Sequence, residues 1–122
     1  MIAYTTIGTA DIEKAKAFYL ALLQDMGVTI FIDTGRLAAL GAPAGGPMLA
    51  VCTPYNGEAP SPGNGNMVAI TPGSRELVDK LHAKALKLGG TDEGSPGQRM
   101  DGFYGGYFRD LDGNKICFCH FG

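Results

Sequence analysis

Two cysteines near the end of the chain, Cys117 and Cys119, are spaced so that they could act together. Successive side chains of a β-strand point to opposite faces, so in a strand these two thiols share one face. A nucleophilic thiol needs a neighbouring base or positive charge that favours the thiolate. The sequence shows no such partner beside them, and we expect small, apolar side chains rather than a redox or metal-binding pair.

A polar segment ahead of these cysteines contains a second set of side chains that could bind a ligand. Arg99 could clamp a carboxylate or a phosphate. Tyr104 or Tyr107 could stack on a ring or donate a hydrogen bond. The alternative is an ion pair between Arg99 and Asp101 on the surface, which contributes little stability.

The two histidines do not predict a metal or catalytic centre. His82 lies between Leu81 and Ala83 in a predicted helix, where we expect a solvated side chain. His120 alternates with Cys119 and Phe121, and we expect it to face the helices or the sheet edge with a local hydrogen bond.

Composition indicates one ordinary globular domain. The chain has 122 residues, of which 45% are hydrophobic and 18% charged, and this balance excludes a disordered chain. A net charge of −2 argues against a general nucleic-acid binder. No stretch approaches the roughly 20 apolar residues of a membrane span, and the N-terminal residues do not resemble a signal peptide. Three cysteines without zinc-type spacing fit a reduced, cytoplasmic protein.

The elements that must position these side chains fall into two similar halves. In the first half, patterning predicts a helix over residues 11–24, capped by Thr9 or Asp11, with an apolar stripe at helical spacing. Strands are predicted over residues 1–8, 28–33, 36–40 and 47–53.

The second half repeats the order β-α-β-β-β. A strand is predicted over residues 67–71, and a helix begins after Ser74 and ends at Gly89, with Leu77, Leu81, Ala85 and Leu88 on its apolar face. A short strand over 91–94 and a polar loop over 95–102 follow. The last two strands form a hairpin, because Asp112-Gly113 stands between apolar, β-favouring runs.

Three stretches resemble the vicinal oxygen chelate superfamily, the group of glyoxalases, bleomycin resistance proteins and extradiol dioxygenases. Residues 9–19 (TADIEKAKAFY) are similar to its first helix, and residues 85–90 (ALKLGG) to the end of its second. Residues 107–116 (YFRDLDGNKI) are similar to its motif y-F-x-D-P-D-G-N-x-i, with Leu111 in place of the usual proline.

The resemblance implies an α+β fold of two βαβββ modules that form a cupped, barrel-like mixed sheet with the helices outside. The single domain would cover residues 1–122, with module 1 at about 1–55, a loop at 56–65 and module 2 at about 66–122. It also implies a homodimer with a pocket in each cup. Active members of the superfamily hold a divalent metal there through His, Gln or Glu side chains.

At the positions where the resemblance expects these metal ligands, the chain has Tyr4, Leu49, Met67 and Cys117. Hard or borderline divalent metals prefer carboxylate and imidazole ligands. We therefore predict no cofactor, although a divalent metal at displaced positions is the alternative.

Alternation along the strands then predicts a mostly apolar cup, lined by Tyr4, Thr6, Leu49, Val51, Met67, Ala69, Cys117 and Cys119. The predicted function is the binding of a small organic molecule by a glyoxalase/bleomycin-resistance-like protein with a degenerate metal site. The alternatives are a lactoylglutathione-lyase-like or other metal-dependent lyase, isomerase or dioxygenase with non-standard ligands, and a protein-interaction domain. The ligand-binding candidates are Tyr4, Thr6, Met67, Arg99, Tyr104, Tyr107, Cys117 and Cys119. No nucleic acid or membrane partner is expected.

Overall fold

Each half of the chain has the same order of elements, β-α-β-β-β. The computed structural model describes residues 1–122 and divides into two units, Met1–Pro62 and Gly63–Gly122. The first unit contains β1 (Tyr4–Gly8), α1 (Ile12–Leu23), β2 (Thr29–Asp33), β3 (Leu37–Gly41) and β4 (Met48–Cys52), with a 3₁₀ turn at Gln24–Met26. The second contains β5 (Val68–Ile70), α2 (Arg75–Lys87), β6 (Thr91–Met100), β7 (Phe103–Arg109) and β8 (Lys115–Phe121). The predicted α+β fold of two βαβββ modules is confirmed.

Both units use the same sheet topology. The strand orders are β1-β4-β3-β2 and β5-β8-β7-β6. In each sheet the first strand pairs in parallel with the last, and the remaining pairs are antiparallel. A parallel pair needs a long crossover connection, and the helix of each unit is part of that connection. No helix combines the length and apolar character that crossing a membrane would require.

The first helix begins as the sequence predicts. Of the two predicted caps, Asp11 takes the role: its side chain accepts a hydrogen bond of 3.1 Å from the backbone N–H of Lys14. The Thr9 hydroxyl in turn accepts the backbone N–H of Asp11. The buried face of α1 consists of Ala15, Phe18, Tyr19, Leu22 and Leu23.

The second helix buries only part of the predicted face. Ser74 caps it by accepting the backbone N–H of Leu77, as expected. Its buried residues are Val78, Leu81, His82 and Ala85. The predicted apolar stripe is therefore correct at Leu81 and Ala85 and wrong at its ends, Leu77 and Leu88. Leu88 lies beyond the last turn and is exposed.

The prediction of a solvated His82 is also wrong. The side chain is only 3% exposed and lies between α2 and the sheet. Its Nε2 lies 3.1 Å from the Asp92 carboxylate and 3.0 Å from the Tyr107 carbonyl oxygen. Both of these oxygens are acceptors, so Nε2 carries the proton and donates to both. These partners are distant in sequence, and local helix periodicity therefore gave no sign of the buried position.

The predicted loop over residues 95–102 is replaced by a long strand. β6 continues through Met100 and pairs antiparallel with β7, with register shifts near Gly94 and again before Met100. Its residues have weak intrinsic strand preference, but β7 supplies a long partner and the bulges accommodate the glycines. Pairing between strands overrides the local signal here.

The predicted β7–β8 hairpin is present, and a buried carboxylate organises its turn. Asp110 is 7% exposed. One of its carboxylate oxygens accepts the backbone N–H groups of Asp112 and Asn114, each at 2.9 Å. The other accepts the side-chain amide of Asn114 at 3.0 Å. Gly113 has φ 86°, a conformation that favours glycine.

Replacing Asp110 with alanine should destabilise the protein by about 2–4 kcal/mol, because buried donors at the turn lose a charged acceptor. The measurement is the free energy of unfolding from urea titration. Asp101→Ala is the matched control, since Asp101 is exposed in the turn of the neighbouring hairpin, and it should change stability by less than about 0.5 kcal/mol. Equal effects of the two substitutions would contradict the structural role of Asp110.

Candidate functional site

The second sheet has two faces that the β7–β8 register separates. One set of paired residues consists of Tyr104 with His120, Gly106 with Phe118 and Phe108 with Ile116. This set faces α2, and the rings of Phe108 and His82 lie 6.5 Å apart; we call it the helix face. The opposite set consists of Phe103 with Phe121, Gly105 with Cys119 and Tyr107 with Cys117. We call this the far face.

Tyr104 and Tyr107 lie on opposite faces, although both are ligand candidates from the sequence. The hydroxyl of Tyr104 donates to the Asp79 carboxylate on α2, and the Arg75 guanidinium lies 5.0 Å over its ring. The hydrogen bond to Asp79 raises the pKa of Tyr104. Tyr104 is therefore engaged with the helix and is separated from the remaining candidates.

Two cations flank Tyr107 on the far face. The Arg99 Cζ lies 5.2 Å and the Lys115 Nζ 5.4 Å from the centre of its ring. Arg99 comes from β6 and Lys115 from β8, the two strands that border the strand of Tyr107. These contacts have the geometry of cation–π interactions. We call Arg99, Tyr107 and Lys115 the Tyr107 cluster.

The thiols of Cys117 and Cys119 lie on the same face and are buried. Burial raises the pKa of Cys117 to about 12, and it also raises the pKa of Cys119. The charges of Arg99 and Lys115 act in the opposite direction on the pKa of Cys117, but their effect is smaller than that of burial. Sequence reasoning missed both of these cations as neighbours of Cys117. The two thiols are nevertheless protonated at neutral pH.

The candidates on or near the first strands of each unit are more exposed. Tyr4 is 53% and Met67 45% exposed, and Thr6 is also exposed. In the first unit, Tyr4 pairs with Met48 and Thr6 with Ala50. In the second, Ala69 pairs with Cys117, so alternation puts Met67 on the same side.

The prediction that Leu49 and Val51 share a face with Tyr4 is wrong. Leu49 pairs with Thr5 and Val51 with Ile7, which places both side chains on the opposite face of the first sheet. The sequence predicted the strand correctly but could not fix its register against its neighbour. A register error of one residue exchanges the two faces completely.

The residues at the expected metal positions do not fit a divalent metal. Corrected for the register, they are Tyr4, Met48 or Ala50, Met67 and Cys117, and none is a carboxylate or an imidazole. No three His, Cys, Asp or Glu side chains come together in an arrangement that could hold a metal ion. A thiol ligates as the thiolate, and burial keeps Cys117 protonated.

Comparisons with known proteins give a consistent result. A family model described as Glyoxalase/Bleomycin resistance protein/Dioxygenase superfamily matches residues 1–118. The chain is similar to a glyoxalase/bleomycin resistance protein from Albidiferax ferrireducens T118, with 36% identity, a TM-score of 0.90, and coverage of 100% of this chain and 99% of that chain.

Two further solved structures share the fold. The hypothetical protein SA1046 from S. aureus has 24% identity and a TM-score of 0.76, over 98% of this chain and 92% of that chain. A glyoxalase/bleomycin resistance protein/dioxygenase family enzyme from Burkholderia phytofirmans PsJN has 21% identity and a TM-score of 0.79, over 96% and 95%. No curated protein matches the chain.

The raised pKa of Cys117 predicts a stability loss in alkali. The unfolded thiol loses its proton near pH 9, whereas the folded thiol holds it to about pH 12. Protonated Cys117 therefore stabilises the folded state fully below about pH 9, and this contribution is lost as the pH rises toward 12. The free energy of unfolding should fall more steeply between about pH 8 and 10.5 in the wild type than in Cys117→Ala.

Ile116→Val serves as the packing control, because Ile116 is fully buried on the helix face and has no titratable group. It should lower stability at every pH but keep the wild-type slope. The same slope in the wild type and in Cys117→Ala would show that the pKa of this thiol is not raised.

Proposed function

The chain belongs to the Glyoxalase/Bleomycin resistance protein/Dioxygenase superfamily, and we propose that it binds a small organic molecule on the far face of its second sheet without a metal ion. The observation that carries the proposal is the chemistry of the expected metal positions. They combine a phenol, a thioether and a buried thiol with apolar side chains, where a metal site would need carboxylates or imidazoles.

The far face has the composition of an organic binding site. Phe103 and Phe121 are in edge-to-face contact, with ring centres 5.2 Å apart. The ring of Tyr107 adds polarizable surface, Arg99 and Lys115 add a few polar groups, and the neutral thiols are buried beneath them. Small-molecule sites typically combine apolar walls with a small number of polar anchors. Met67, which precedes β5 in the same unit, remains a predicted contact of this ligand. Tyr4 and Thr6 remain predicted ligand-binding residues of the first unit.

Binding without turnover is the simplest role for this set of side chains. A general base or nucleophile has to reach the substrate in a reactive protonation state. His82 is buried on the helix face with its proton donated to Asp92 and Tyr107. The Cys117 thiol, with a pKa of about 12, is a poor nucleophile at neutral pH.

We propose a cytoplasmic location because the three cysteines, Cys52, Cys117 and Cys119, are all free thiols. Reducing compartments maintain cysteines in this state.

Metal removal should leave ligand binding unchanged. The measurement is a titration of the purified full chain with phenol and indole, followed by NMR shifts and thermal stability before and after EDTA treatment. Tyr107→Ala should weaken binding of both probes by about tenfold, because each loses a stacking partner. Tyr55→Ala is the matched control, since Tyr55 is 90% exposed in the first unit and also lies beneath an arginine.

Elemental analysis accompanies this titration. Stoichiometric nickel, zinc, manganese or iron whose removal abolishes binding would overturn the metal-independent proposal. Metal-dependent turnover of a glutathione hemithioacetal would do the same and would favour the lyase alternative.

We also propose that the chain forms a homodimer, as members of the superfamily resembled by the sequence do. Large apolar side chains are exposed on the first sheet: Phe31 at 55%, Ile32 at 44% and Tyr4 at 53%. They lie on β1 and β2, the two edge strands of that sheet. Exposed apolar side chains on strand edges favour association with another chain.

Light scattering during gel filtration should give about twice the chain mass of 12.8 kDa. Phe31→Ser should shift the protein toward the monomer, because it removes apolar surface from the proposed contact. Leu88→Ser is the control, since Leu88 is exposed at the end of α2, and it should not change the mass. A monomeric mass at all concentrations would contradict the dimer.

A further inference from the structure

Neither cation of the Tyr107 cluster forms an ion pair with an acidic side chain, and we propose that the two cations recognise the anionic head group of the bound molecule. Arg99 and Lys115 would hold a carboxylate or a phosphate, while Tyr107 and the neighbouring far-face side chains contact the organic body. This inference rests on the proposed function, because it specifies the charge of the ligand that binds at the same face.

The sequence of β6 gives the Arg99 guanidinium a defined position. Its Nη2 donates to the Ser95 carbonyl of the same strand, so the side chain folds back along β6. A Cβ at Gly94 would lie 3.3 Å from Arg99 Nη2, and one at Gly97 would lie 3.4 Å from Nη1. The lack of a Cβ at Gly94 therefore leaves room for the guanidinium, and a Cβ at Gly97 would be at ordinary contact distance. A cation held in place before binding loses less conformational entropy when a ligand arrives.

The acidic side chains on the strands of the cluster form their hydrogen bonds with other groups. Arg109 lies on the strand next to Lys115 and forms an ion pair with Glu93 at 2.9 Å. This pairing lowers the pKa of Glu93. The Asp92 carboxylate is engaged by His82, Gly94 and Ser95. The carboxylates of Asp92 and Glu93 are therefore hydrogen-bonded to other groups. The Lys115 charge helps to lower the pKa of Glu93 without an ion pair between them, and Arg99 and Lys115 can still attract an anion.

The cluster favours an anion on electrostatic grounds. Two like charges beside one ring repel each other, and the attraction of each to the ring offsets this repulsion only in part. An anion between them is attracted to both. The guanidinium presents paired N–H donors that match a carboxylate or phosphate, and the ammonium adds a point charge. The buried Cys117 thiol beneath them is neutral and does not compete.

The test compares probes that share a shape but differ in charge. Benzoate and benzamide are titrated into the full chain, with binding followed by NMR shifts of Arg99 Nε–H and of the Tyr107 and Lys115 amides. Benzoate should bind at least about tenfold more tightly than benzamide, the effect expected from one charge-assisted hydrogen bond. Its affinity should also fall as salt is raised. Phenyl phosphate in a parallel titration determines which head group is preferred.

The variants assign the effect to the cluster. Arg99→Gln and Lys115→Gln should each weaken benzoate binding by about tenfold and leave benzamide binding unchanged. Arg99→Lys retains the charge and should lose less affinity than Arg99→Gln. Arg36→Gln is the matched control, because Arg36 lies 5.3 Å over the ring of Tyr55 in the first unit and carries the same charge. It should not change benzoate affinity.

The failures of the two proposals are distinguishable. Benzamide binding as tightly as benzoate on the far face would overturn the anionic head group and leave the proposed function standing. Benzoate affinity that is equal in the wild type, Arg99→Gln and Lys115→Gln would also overturn it. If neither the charged nor the neutral aromatic probes bind on the far face, both proposals are wrong.

Discussion

The arrangement of the second unit depends on the register of the β7–β8 hairpin, and that register depends on the Asp110 carboxylate. By accepting the backbone N–H groups of Asp112 and Asn114, Asp110 fixes where β7 ends and β8 begins. Tyr107 then lies opposite Cys117. A slip of one residue would exchange the faces of the whole hairpin and move its apolar residues out of the contact with α2. A short-range interaction thus determines which side chains lie on each face of the second sheet.

Sequence reasoning succeeded where the determining contacts are local. The caps at Asp11 and Ser74 and the turn after Asp110 involve residues within a few positions of one another, so their types indicate the structure. It failed where burial or strand register depends on residues that are distant in sequence. His82 is buried because β6 and β7 supply its acceptors. Leu49 faces away from Tyr4 because of a parallel register that the sequence does not encode locally.

In the candidate site, too, residue types could be predicted from the sequence, whereas contacts between distant residues could not. Arg99, Tyr107 and Cys117 were each identified from residue type, but their proximity follows from strand order and from the unexpected length of β6. In this arrangement, burial and the nearby positive charges have opposite effects on the pKa of the Cys117 thiol. Burial prevails and raises its pKa although two cations lie nearby. The result is a face that combines full positive charges with neutral sulfur, a combination that residue types alone did not predict.

Alternation along β8 has a consequence for how such a protein can change over evolutionary time. Ile116 and Phe118 pack against the helix side, while Cys117 and Cys119 lie on the far face of the same strand. The side chains that pack against α2 and the side chains of the far face therefore occupy alternating positions of the same strand. Substitutions at position 117 alter the far face, whereas substitutions at positions 116 and 118 alter the packing against α2. Alternation thus allows the two faces of one strand to diverge separately, which is one way in which a single fold comes to carry different functions.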